Sequence, residues 1–115
     1  MEVGEVVVTQ SLSKAERRER AALDALAGRL RAAAAAGRTA EVERLLERGA
    51  PIDAVDDDGE TALMKSVQAE RPAVAALLRR RGADLDLRNN AGVSARDMAT
   101  ATDDAELKRA LGVER

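Results

Sequence analysis

The 115-residue sequence predicts an all-α fold, a short solenoid of helix-turn-helix units joined by β-hairpin loops. Three observations predict it. First, the chain repeats itself: Gly49, Ala50, Asp53, Gly59 and Ala62 stand 33 positions before Gly82, Ala83, Asp86, Gly92 and Ala95. Second, strong helix formers between these marks are bounded by residues that start and stop helices. Third, the chain has no Phe, Trp or Tyr, so its core must be built from Leu, Ala, Val, Ile and Met. Such small side chains fill space only where thin helices approach closely.

Residues 1–12, "MEVGEVVVTQSL", alternate too little for an amphipathic strand and are expected to form a flexible tail. Ser13 with Glu16 forms a capping box for a long helix, in which Leu23, Leu26 and Leu30 make one apolar stripe and Gly28 is a candidate bend. The stripe is expected to face a partner element, while Arg17, Arg18 and Arg20 stay in water. "TAEVERLLERG" gives a second helix from about Thr39 to Arg48, buried through Val42, Leu45 and Leu46 and stopped by Gly49.

The loop "APIDAVDDDGE" follows, and Thr61 is the expected N-cap of a helix reaching about Ala69. Pro72 then suits the first turn of the next helix, with Val74, Leu77 and Leu78 on its buried face and Gly82 at its end. After Gly92 the unit begins again. Ser94 and Asp97 form a second capping box, Met98 and Ala99 face inward, and "DDAELKRALG" closes the chain as a short helix with Asp103 as the expected cap.

This period resembles the ankyrin repeat, whose pattern runs roughly G-x-T-P-L-H-x-A-A, then V-V-x-L-L-L, then G-A-D-V-N. The matching stretches are "GETALMKSV" and "GVSARDMAT", "EVERLL" and "AVAALLR", and "GAPID" and "GADLD", together covering about residues 28–112. The resemblance implies an ankyrin-repeat solenoid of about two central units, with a capping N-terminal helix and a short C-terminal capping unit. Residues 13–115 then form one domain, divided at 13–58, 59–91 and 92–115. Ala62 and Ala95 stand where the family has Pro, Met64 and Asp97 where it has His, and Arg96 where it has Leu. The hairpins should be less braced, and Arg96 marks an end face open to water. A coiled-coil dimer helix is the alternative for the Ser13 segment, but its leucines do not sustain a heptad.

Several chemistries are disfavoured by the residues themselves. With neither His nor Cys, the commonest general base and the thiolate metal ligands are missing. Aligning Gly59 with the glycine of an EF-hand loop puts Ala54 at the first ligand position and Lys65 at the last, where carboxylates are required. The carboxylates of "DDDGE" sit on a hairpin tip, which offers little burial to separate their pKa values for acid-base work. "RRR" at Arg79–Arg81 ends a helix, where cations complement the dipole. "GRLRAAAAAGR" lacks the Lys-Ser/Thr pair of a phosphate loop. Nineteen basic and 21 acidic residues leave a net charge of −2, with no overall attraction to nucleic acid or anionic membrane.

The resemblance also implies function: hairpin tips and the inner faces of first helices grip another protein. By position, that surface is Asp57, Asp58, Glu60, Met64 and Lys65 in the middle unit, and Asn90, Ala91, Val93 and Asp97 in the last. The expectation is a non-enzymatic, monomeric interaction module with a small acidic concave surface, no cofactor and no metal. The alternative is a structural or regulatory appendage that packs on a neighbouring domain of a larger protein. A cytoplasmic setting is expected, although the missing cysteines report nothing about compartment.

Overall fold

The computed structural model describes residues 12–113, which form six helices in chain order. These are α1 (Lys14–Ala36), α2 (Thr39–Glu47), α3 (Ala62–Gln68), α4 (Pro72–Arg80), α5 (Ala95–Ala101) and α6 (Ala105–Leu111). The expected tail lies outside the described residues, apart from Leu12.

The 33-residue period is spatial as well as sequential. The second helices α2, α4 and α6 start at Thr39, Pro72 and Ala105, each 33 residues after the last, and α3 and α5 start at Ala62 and Ala95. Inner helices pack side by side in the order α1, α3, α5, and outer helices follow as α2, α4, α6. Each pair is closed by its own turn. Gly37 ends α1 in the left-handed region (φ 74°), where its N–H reaches the carbonyls of Ala33 and Ala34. The equivalent residue one unit later is Glu70, at φ 57°, the one non-glycine residue with positive φ among those described. A side chain there carries strain that glycine avoids.

Caps fix where the helices begin. The hydroxyls of Thr61 and Ser94 accept from the backbone N–H of Met64 and Asp97, and Ser94 and Asp97 complete a capping box. Ser13 and Glu16 form the other capping box, as the sequence predicts. The closing helix differs from expectation by one residue: Asp104, not Asp103, accepts from the N–H of Leu107. An N-cap oxygen must reach the third residue of the first turn, and only Asp104 stands at that distance from a helix starting at Ala105.

The core is aliphatic and continuous through all three pairs. Leu30, Val42, Leu45, Leu63, Met64, Val74, Leu78 and Leu107 are at most 1% exposed. Each such leucine contributes about 1.5–3 kcal/mol by leaving water. The alanines Ala34, Ala62, Ala75, Ala83, Ala95 and Ala99 are fully buried and set the close helix spacing that a core without aromatics needs. The buried hydroxyl of Ser66 donates to the Leu63 carbonyl at 2.7 Å, so its polar group is satisfied.

The N-terminal part of α1 departs from expectation. The Leu23–Leu26–Leu30 stripe meets the stack only from Leu26 onward; Leu23 is 38% exposed and residues 13–25 are all exposed. Gly28 occupies the position held by the caps Thr61 and Ser94 one and two units later, and α1 runs through it as unbroken helix. A glycine offers no side-chain oxygen to start a helix there. The first unit therefore has no hairpin, and α1 extends past the stack in its place.

Candidate functional site

Two loops project from the N-terminal ends of α3 and α5. They are referred to below as fingers. No strand is present among the described residues, and the only pairing of strand type is an isolated bridge between Arg88 and Ser94. Each finger is instead held by one Asx residue. Asp56 Oδ1 accepts from the N–H groups of Asp58 and Glu60, both at 2.9 Å. Asn89 Oδ1 accepts from the N–H groups of Ala91 and Val93 at 2.9 and 3.0 Å. The Asp56 and Asn89 carbonyls accept from Gly59 and Gly92, and their N–H groups donate to the carbonyls of Glu60 and Val93, all between 2.9 and 3.0 Å. The two fingers thus carry the same hydrogen bonds 33 residues apart.

The fingers also grip one another. Asn90 donates from its backbone to the Asp58 carbonyl and from Nδ2 to the Asp57 carbonyl, both at 2.9 Å. Asn89 Nδ2 donates to Glu60 Oε2 at 3.1 Å. Behind the first finger, Arg31 of α1 donates to the Ala54 carbonyl at 3.2 Å.

Electrostatics gather at Lys65. Its Nζ lies 2.9 Å from Asp56 Oδ2 and 3.1 Å from Glu60 Oε1. Gln68 donates to the other Glu60 oxygen at 3.0 Å. The Glu60 N–H on its carboxylate, and then Lys65, pull Asp56 down to about 2. Burial pushes Glu60 upward, but bonds from Gln68, Lys65 and Asn89 outweigh it and hold the carboxyl below its ordinary value. Hydrogen bonds to Asp56 and Glu60 raise Lys65. All three groups stay charged around neutral pH.

The residues expected on the binding surface therefore fall into distinct settings. Asp57, Asp58, Asn90 and Ala91 are exposed at the finger tips. Val93 is half-buried at the base of the second finger. Glu60 and Lys65 are also half-buried and bonded to each other. Asp97 is exposed, yet its carboxylate caps α5 through the Ser94 N–H and lies 3.4 Å from Arg88.

Met64 corrects the expectation: it is 1% exposed and belongs to the core. Its position in the unit is the one Asp97 holds in the last pair. In α3, which packs against α1, α4 and α5, that position is buried, whereas among the described residues no further inner helix follows α5 to cover Asp97. Arg96, expected to face water at the end of the stack, does so, with its guanidinium on both oxygens of Asp86 at 2.7 and 3.1 Å. Reasoning from the sequence missed Asn89 as the second finger lock, although an Asx residue 33 positions after Asp56 was a readable signal.

Helix pairs in fixed period, with locked fingers along one edge, define a helical-repeat protein. Residues 30–79 match the family model of ankyrin repeats (many copies), and this stretch of the chain is an ankyrin-repeat segment. No curated protein matches the chain. Ankyrin repeats are generally protein–protein interaction modules, and the family is typically non-enzymatic. No described helix is long and apolar enough to cross a membrane, and no group of three or more Asp or Glu among the described residues is placed to hold a metal ion.

Proposed function

We propose that the chain is a docking module whose acidic finger edge captures a protein bearing a basic or mixed patch, by contact and without turnover. The observation that carries this reading is the separation of roles among the finger carboxylates. Asp56 and Glu60 are tied to Lys65, while Asp57 and Asp58 stand exposed on a loop whose backbone is already fixed. A surface held in place before contact loses little conformational freedom on binding, which favours recognition by rigid complementarity. Charge at the rim then steers the encounter and selects the partner.

The test is reversal of Asp57 and Asp58 to Lys, followed by capture from lysate and thermal melting. Weaker capture with an unchanged melting midpoint is expected. Capture equal to that of the wild type would overturn the reading. A folded monomer that captures nothing would favour packing on a neighbouring domain of a larger protein.

A further inference from the structure

Where α1 leaves the stack, the side of the helix that carries its buried face continues into water. Leu30 and Leu26 continue at alternating steps of four and three residues as Leu23, Glu19 and Glu16 within α1. This is one seam of a single helix, since such steps return to the same side. Beyond Leu26 the seam has no helix packed on it among the described residues, and it forms the wall of an open depression of about 650 Å³ floored by Pro51 and Ala54. A second depression, of about 570 Å³, shares Asp24 and Ala54 with the first and reaches the finger at Val55, Asp57 and Asp58. The two make one groove. The only large apolar side chains exposed among the described residues, Leu23 at 38% and Val55 at 51%, both line it.

The charge along this groove selects its occupant. Glu16, Glu19, Asp24, Asp57 and Asp58 line it against Arg20 and Arg31, and Arg31 is engaged with the Ala54 carbonyl. A second copy fits poorly. An antiparallel pair centred on Glu19 sets that residue against its twin, and a parallel pair matches every glutamate with itself. The chain's own residues 1–11 contain Glu2 and Glu5 and no Lys or Arg, so they do not complement the groove either. We infer that the groove between the overhanging part of α1 and the first finger seats a basic amphipathic helix of another protein. Aliphatic side chains of that helix meet Leu23 and Val55, and its Lys or Arg flanks meet Glu16, Glu19 and the finger aspartates. The inference rests on the docking reading and extends it from the finger tips to α1.

The experiment titrates the 15N-labelled full chain with a short synthetic helix of Leu, Lys and Ala, with Leu at seam spacing and Lys on both flanks. Shift changes centred on residues 12–27 and 54–58 are expected. Leu23→Ser and Glu19→Lys, both at exposed positions, should each weaken binding roughly tenfold without altering the circular-dichroism melt. A version of the peptide with Glu for Lys should not bind. Failure of the peptide to bind, or binding indifferent to both substitutions, overturns the groove. If the shifts fall only on Asp57, Asp58 and Asn90, the groove is wrong while the finger reading stands. Concentration-dependent dimers lost in Leu23→Ser would assign the seam to a second copy, and binding seen only after removal of residues 1–11 would assign it to the chain's own N-terminus; either overturns the inference.

Discussion

Asn90 hangs the second finger on the first: its Oδ1 lies 2.6 Å from where a β-carbon on Gly59 would stand, and its Nδ2 bonds the Asp57 carbonyl at 2.9 Å. Gly59 sits at φ 76°, so an added methyl group meets both an unfavourable backbone and an occupied space. Gly59→Ala is expected to lose about 2 kcal/mol in urea unfolding. Asn90→Ala should lose about 1 kcal/mol for one hydrogen bond. Together they should cost less than the sum, because removing the amide relieves part of the clash.

Lys65 makes the finger base sensitive to pH at both extremes. Asp56 is depressed to about 2, so its contribution is complete above the ordinary aspartate range and is lost as pH falls toward that value. Lys65 is raised above 10.5, so its contribution is complete below 10.5 and is lost as pH rises through its folded value. Lys65→Met is expected to cost about 1–2 kcal/mol at neutral pH and to abolish the alkaline limb. Chemical denaturation across pH reads both effects, and an alkaline limb that survives the substitution would exclude Lys65 as its source.

Glu70 invites a stabilising change. Replacing it by Gly removes the positive-φ strain, set against the greater freedom of glycine in the unfolded chain, for an expected gain of about 0.5–1 kcal/mol. The counterpart Gly37→Ala should be destabilising, since its new methyl would stand 2.9 Å from Arg71 Cδ, the side chain that reaches across to the Ala35 carbonyl. Melting midpoints that move the same way in both variants would contradict this account.

Two adjacent aspartates separate a cap from a bystander. Asp104→Ala should cost about 1 kcal/mol through loss of the bond to the Leu107 N–H, whereas Asp103→Ala should stay within about 0.5 kcal/mol of the wild type. Urea midpoints of the two variants decide it.

What the sequence made legible was whatever repeats locally. The helix starts at Thr61, Pro72 and Ser94 follow from single residues whose chemistry fits one place in a turn. The finger locks were readable in the same way, although Asn89 was missed, since Asp56 Oδ1 and Asn89 Oδ1 each accept from N–H groups two and four residues further on. What stayed hidden depends on neighbours far along the chain. Met64 and Asp97 hold one position in the unit, yet the first is buried within the stack and none of the described helices covers the second. Leu23 belongs to a regular apolar stripe, but spacing along one helix does not say where its partner helices stop. The bonds of Asn90 to the first finger join residues 32 and 33 positions apart, a distance that no local pattern reports.

Because α1 passes Gly28 without a break, the projecting segment is geared to the stack like a crank on a shaft. Removing four residues between Ala15 and Ala25 would draw its tip in by about 6 Å and turn it by about 40° while leaving the aliphatic core untouched. The angle at which anything joined ahead of Lys14 meets the repeats is therefore set by residue count, in increments that protein engineering can choose.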